Sequence, residues 1–264
     1  VELVEASGLS VEDVAVVING YMETNTAGIY IVGHCANEEE LCTAVLNIEK
    51  GKLFDFHIAK AGPSKQKAME AGYNAESVFV AGYDDPMHSQ GAREVMAILL
   101  VDRDSSKLLG VQLVGEAPVE KYADFISALI AKEGTIDDLA KMSSSCNSME
   151  FMLLLSNAML DKLDKGCEMI SPVSFYSMKE DPDLIILDTR TEAEVTISKI
   201  PGAVNIPLEK LDLRKEELDK AKNIVIIAKG YIQARQAYEI LLTNGFDNIK
   251  ILEGGIAGYP YKLE

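Results

Sequence analysis

Leu187-Asp188-Thr189-Arg190, then Glu194, then Ile200-Pro201-Gly202-Ala203-Val204-Asn205-Ile206-Pro207 decide how the second half of this chain folds. The run Leu184–Leu187 reads as a buried strand, because a short β-branched stretch without polar alternation is covered on both faces. Asp188 and Arg190 are placed to pair where that strand ends. Pro201-Gly202 is turn chemistry feeding a second short strand at 204–206. Outward from there, Ile224–Ile227 and Ile249–Leu252 are further strands with helical stretches between them, and Glu253-Gly254-Gly255 closes the series. Ser171-Pro172 is a capped helix start with proline at the first helical position. Strands alternating with helices imply a mostly parallel sheet covered on both faces. A doubly wound α/β domain is expected over 167–264, with Cys167–Ser171 as the linker ahead of it.

Upstream the pattern changes. Phe54–Ala59, Ser77–Ala81, Val95–Val101 and Leu108–Val114 read as strands, and Pro63-Ser64 opens a short helix that Gly72 ends. The polar segment Asp102–Lys107 suits an antiparallel hairpin between the last two strands. Val119, Tyr122, Phe125, Ile126, Leu129 and Ile130 then mark one face of an amphipathic helix. Thr135 caps a shorter helix, and Phe151–Leu163 is a strongly apolar one. Strands followed by helices suggest an α+β layer sandwich over 53–166. Residues 1–52 hold two apolar runs, Ala15–Ile18 and Gly28–Gly33, then a helix start at Asn37 with Glu40 three residues on. One hairpin and one helix cannot enclose a core.

Of 264 residues, 25 are Lys or Arg and 42 are Asp or Glu, a formal charge of −17. That balance argues against a nucleic-acid backbone or an anionic membrane surface as the main partner. Hydrophobic residues make up 48%, enough to build cores. No apolar run approaches the roughly 18 residues of a membrane-spanning helix. Cys35, Cys42, Cys146 and Cys167 form no C-x-x-C pair, so neither a disulfide scaffold nor a zinc site is expected, and a reducing cytoplasm fits best. His34, His57 and His88 offer no material for an all-histidine metal site. Val1 in place of an initiating methionine reads as the start of a cut or processed chain.

The motifs at 187–190, 194, 200–207 and 253–255, in that order, resemble a rhodanese domain over roughly 168–264. Rhodanese chemistry needs a cysteine on a tight loop whose backbone amides cradle an anion and hold a persulfide. Counted back from Ala237-Tyr238-Glu239-Ile240-Leu241, the cysteine position falls on Ala228, and the loop's usual glycine and arginine fall on Tyr231 and Gln233. Ala228, Lys229, Gly230, Tyr231, Ile232 and Gln233 are the expected anion pocket, with no sulfur nucleophile left in it.

The front half resembles the C-terminal part of FAD-dependent pyridine nucleotide-disulfide reductases, closest to the coenzyme A disulfide reductase and NADH oxidase group. Tyr21–Asn25 followed by Gly28–Ala36 is similar to the last strand of the flavin domain, so Gly33 and His34 stand as a flavin-site remnant, with His34 where the family carries an aspartate. Glu70-Ala71-Gly72-Tyr73, Lys107–Gly115 and Asp137-Asp138-Leu139-Ala140 look like the family's interface domain, which implies a homodimer. The family's Tyr-Ala-Pro-Pro-like stretch is replaced by Cys146-Asn147-Ser148-Met149, and its tyrosine-rich loop by Met87-His88-Ser89-Gln90. No G-x-G-x-x-G follows a strand. Cys146 is the remaining thiol candidate, read chiefly as a buried small residue.

Three parts are therefore expected: a remnant of an FAD-binding domain (1–52), a reductase dimerisation domain (53–166) and a rhodanese-like domain (167–264). No cofactor is expected for this chain alone, although the resemblance implies FAD and NAD(P)H for its relatives. The expected function is a catalytically degenerate module binding an anion, a thiol ligand or a partner protein. The alternative is the C-terminal portion of a working disulfide, polysulfide or coenzyme A disulfide reductase, joined by a flavoprotein subunit or a sulfur-carrying partner.

Overall fold

The computed structural model describes residues 9–12, 15–17, 23–27, 29, 48–84, 91–145, 149–164 and 166–264. Gly33, His34, Cys35, Cys42, His88 and Cys146 lie outside the described residues, as do the helix start at Asn37 and most of the Gly28–Gly33 run. Near the N-terminus, β1 (Val11–Glu12) and β2 (Ala15–Val16) form a two-stranded antiparallel ribbon.

The first large unit is a five-stranded antiparallel sheet. Its strands are β3 (Glu49–Leu53), β4 (Phe56–Ala61), β5 (Ala75–Tyr83), β6 (Glu94–Asp102) and β7 (Leu108–Gly115), in the order β3-β4-β7-β6-β5. The single strand expected over Phe54–Ala59 is instead a hairpin, because Phe54 turns the chain at φ 55° and Lys50–Lys52 extend as β3. A short helix α1 (Lys65–Glu70) is capped by the Ser64 side chain, which accepts from the Lys67 amide. Helices α2 (Glu120–Ile130), α3 (Ile136–Ser144) and α4 (Glu150–Leu163) follow the strands. Thr135 and Asp138 form a reciprocal capping box at the start of α3.

Strand alternation sends Val78, Val80, Val95, Ala97, Leu99, Val111 and Leu113 to one face, where they meet Tyr122, Ile126, Leu139, Phe151, Met152 and Leu155 of the helices. Ile58, Ile98 and Val114 lie partly exposed on the opposite face.

The second unit is a parallel sheet of β8 (Met169–Ile170), β9 (Leu184–Asp188), β10 (Val204–Asn205), β11 (Asn223–Ile227) and β12 (Ile249–Leu252), in the order β10-β9-β11-β12-β8. Helices α5 (Pro172–Met178), α6 (Glu192–Ile197), α7 (Leu208–Arg214) and α8 (Tyr231–Thr243) connect the strands. Two cores result, one on each face. Leu187, Ile224, Ile226, Ala234, Leu241 and Phe246 fill one, and Phe175, Ile186, Ile200, Val225, Ile227 and Tyr259 the other. The segment expected as a linker, 167–171, does more than connect: it supplies the edge strand β8 and the Ser171 cap of α5. The chain is thus an α+β antiparallel unit followed by a doubly wound α/β unit.

Candidate functional site

In parallel α/β sheets, binding residues collect beyond the carboxyl ends of the strands. Register sets Asp188 at the end of β9 between Asn205 of β10 and Ile227 of β11. The expected pairing of Asp188 with Arg190 is present and buried. Arg190 Nη2 donates to Asp188 Oδ2 at 2.6 Å and its Nε to Oδ1 at 3.0 Å, with the two side chains 4% and 0% exposed. Arg190 Nη2 also donates to the Ser198 carbonyl at 2.8 Å, and Asn205 Nδ2 donates to the Asp188 and Arg190 carbonyls at 2.9 Å each. The two charges are paired with each other and each makes further local hydrogen bonds, the condition under which buried ions persist. These groups hold backbone in place and aim nothing at a ligand.

Thr191 and Glu194 form a capping box at the start of α6. The hydrogen bond from the Thr191 side chain holds the Glu194 carboxyl below the ordinary glutamate range, and the Lys229 charge adds to this.

At the end of β11 the chain turns quickly. Only Ala228, Lys229 and Gly230 separate the strand from α8, so Tyr231, Ile232 and Gln233 belong to the first turn of that helix and not to an extended loop. Ala228 is 1% exposed, and its methyl joins the apolar core with Ala234 and Ala237. The Lys229 amide donates to Gln233 Oε1 at 3.0 Å, while Gln233 Nε2 donates to the Thr189 carbonyl at 2.9 Å. One carboxamide thereby ties the ends of β9 and β11 together and occupies one of the amides an anion cradle would use.

Gly255, at φ 56°, closes the other side of this turn. A side chain there would have its Cβ 2.6 Å from the Ala228 carbonyl oxygen, so the 253–255 motif needs glycine for close approach. The Lys229 ammonium is partly exposed and lies 3.9 Å from Glu194. Tyr231 points elsewhere: its hydroxyl donates to Asp161 of α4, and its ring packs against the core of the antiparallel unit.

Cys167 is the free cysteine among the described residues, and it is buried. Burial first, and the Asp161 carboxylate second, push its thiol up to about 12, so it is a poor nucleophile at neutral pH. No group of His, Cys, Asp and Glu among the described residues is arranged to hold a metal ion. No helix among the described residues is long and apolar enough to cross a membrane. No glycine-rich strand-to-helix turn among them fits a dinucleotide pyrophosphate. Reasoning from sequence missed Asp161 and Lys162, and read Glu253 only as part of the 253–255 motif; their partners lie far away in the chain, and no local spacing signals them.

Comparison with known proteins finds matches to two parts of the chain. Residues 48–146 match the pyridine nucleotide-disulphide oxidoreductase dimerisation domain, and residues 171–260 match the rhodanese-like domain. A solved NAD-dependent persulfide reductase from A. fulgidus superposes with a TM-score of 0.81 at 28% identity, covering 98% of this chain and 53% of that one. The reduced Bacillus anthracis CoADR-RHD, a CoA disulfide reductase, superposes at 0.80 with 21% identity, covering 97% of this chain and 53% of that one. A tRNA uridine(34) hydroxylase of Synechocystis sp. is 35% identical over 96 residues, or 34% of each protein. The chain therefore spans about half the length of these two solved structures and a third of that curated relative. It joins a dimerisation domain of the pyridine nucleotide-disulphide oxidoreductases to a rhodanese-like domain, in the order found at the C-terminal end of reductase–rhodanese fusions.

Proposed function

We propose that this chain is a non-catalytic dimerisation and rhodanese-like module, forming a homodimer through 53–166 and binding an anion, a thiol ligand or a partner protein without transferring sulfur. The observation that carries this reading is the end of β11. The persulfide position is Ala228, whose methyl lies in the core, and the Lys229 amide is already bonded to Gln233. No thiol stands where a sulfane sulfur would be held. The first turn of α8 has no side-chain cap, and helix-start amides of this kind favour anions. Lys229 supplies the adjacent positive charge. The test is a thiosulfate sulfurtransferase assay on the purified chain, expected to stay at background; turnover above background would overturn the reading. Sizing in solution is expected to give twice the 28.8 kDa of the chain.

A second reading is favoured by the coverage of the solved reductases, each about twice as long as this chain. In it, these residues are the C-terminal portion of an FAD- and NAD(P)H-dependent disulfide, polysulfide or coenzyme A disulfide reductase. Gly33 and His34 would then border the flavin, although nothing among the described residues forms a flavin site, and no chemical step is derived through one. Mass and flavin absorbance of the protein from its native source separate the two readings. A colourless species of 28.8 kDa subunits supports the first, and a larger yellow species the second.

A further inference from the structure

The first turn of α8, which borders the Ala228 position, is fastened to the other domain. Tyr231 Oη and Arg235 Nε both donate to Asp161 Oδ2 near the end of α4, the Arg235 bond at 2.9 Å. Arg235 also pairs with Glu239 one helical turn on. The next residue of α4 makes a second bridge. Lys162 Nζ donates to Glu253 Oε1 at 2.5 Å and to the Ser77 carbonyl of β5 at 2.7 Å, and lies 3.5 Å from Glu76. Glu253 is 6% exposed and Lys162 19%, so this contact is shielded far better than an ordinary surface ion pair.

Further along the seam, Phe79 of β5 packs against the glycine-rich turn after β12. A Cβ on Gly254 or Gly258 would fall 2.3 or 2.4 Å from the Phe79 ring, so both glycines are needed for the two domains to meet. Between the polar bridges and Phe79 the domains enclose about 10 Å³, room for one water.

We infer that Asp161, Tyr231 and Arg235, with Lys162, Glu76 and Glu253, form an interdomain latch that joins the dimerisation and rhodanese-like domains into one cooperative unit and pins the first turn of α8 against the end of α4. The latch stands on Asp161 and Lys162 and goes beyond the sulfur-free reading; it holds whether or not the chain belongs to a working reductase. Its physical basis is complementarity across two units. One carboxylate accepts from a phenol and from the Nε of a guanidinium, and one ammonium faces two carboxylates and a carbonyl. Removing Asp161 leaves Tyr231 and Arg235 of α8 without their acceptor, and removing Lys162 leaves Glu253 on one side and Glu76 and the Ser77 carbonyl on the other without their cation. Consistent with this, the Glu76 carboxyl stays below its ordinary range against the opposing effect of burial, held there by the Lys162 charge.

The test opens the seam from either end in the full chain and reads the opposite end. Asp161→Ala removes the acceptor at the α8 end; amide exchange over residues 252–258, at the Phe79 end, is expected to accelerate at least tenfold. Phe79→Ala leaves every charge in place; alkylation of Cys167, buried beside Asp161 and resolved from the other cysteines by peptide mass, is expected to accelerate at least tenfold. Tyr231→Phe, which deletes one hydroxyl, is expected to give a smaller effect in the same direction. Exchange over β9 serves as the internal control and is expected to stay within twofold of wild type in all three. The latch is overturned if each substitution acts only at its own end, with the opposite readout within twofold of wild type. It is equally overturned if β9 accelerates along with the seam, since the seam would then open only through loss of the rhodanese-like domain.

Discussion

The ends of β9 and β11 are neighbours in one parallel sheet, paired Asp188 to Ile227, yet they hold different kinds of residue. At the end of β9, a carboxylate and a guanidinium are buried and paired, the guanidinium also donating to the Ser198 carbonyl and Asn205 to the Asp188 backbone. At the end of β11, where the rhodanese resemblance would place sulfur chemistry, stands a buried methyl, and the Gln233 carboxamide accepts from the next amide along the chain. The first is architecture, because those groups satisfy one another. The second is where a function would be expected, and it has been taken into the core and into the contact with Asp161. On the proposed reading, a rhodanese-like fold is retained here without the group that gives the fold its chemistry, since scaffold and site are separable.

The largest effect is expected at the architectural end. Asp188→Ala leaves the Arg190 guanidinium buried without a counter-charge and should destabilise the α/β domain by about 3–5 kcal/mol, measured by denaturant unfolding. A loss below about 1 kcal/mol would mean that the pair is not what holds the β9 end. Next, Ala228→Cys places a sulfur into a packed core, at a cost of about 1–3 kcal/mol. It should not create thiosulfate sulfurtransferase activity, because the Lys229 amide is occupied and the arginine position is Gln233. Activity in this variant would show that the turn still works as a cradle and that the cysteine alone was missing.

Gln233→Ala cuts the bridge between the two ends and should cost about 1 kcal/mol by thermal or denaturant unfolding, in line with two part-exposed hydrogen bonds. The smallest effect concerns Glu194, which caps α6 beside β9 and faces Lys229 beside β11. Its carboxyl is held below the ordinary glutamate range in the fold, so it contributes stability above the unfolded value of about 4.3. That contribution disappears as pH falls through the lower folded value. The stability gap between wild type and Glu194→Gln should therefore be under about 1 kcal/mol at neutral pH and shrink as pH falls below about 4. A gap that widens on acidification would reverse the assigned sign.

What could be seen in the sequence is what depends on residues close together along the chain. The Asp188–Arg190 pair, the capping boxes at Thr135 and Thr191, the Ser171 cap and the 102–107 hairpin all involve partners one to five residues apart, so spacing alone reports them. The expectation that Ala228 stands where the rhodanese resemblance implies a cysteine rests on the same short spacings. The turn at Phe54 escaped notice because Lys50-Gly51-Lys52 carries no apolar alternation, and pairing with β4 is what makes it a strand. The seam between domains was invisible altogether. Asp161 and Tyr231 are 70 residues apart, and Lys162 and Glu253 are 91 apart. No periodicity links such residues. They meet only because α4 packs on one sheet, α8 on another, and Phe79 finds two glycines against which the sheets can close. Local pattern along the chain was enough to settle the two domain types, because strand and helix periodicity needs only near neighbours. What only three-dimensional packing could set is the meeting of the segment that follows Ala228 with α4 of the other unit, because those partners are distant in the chain.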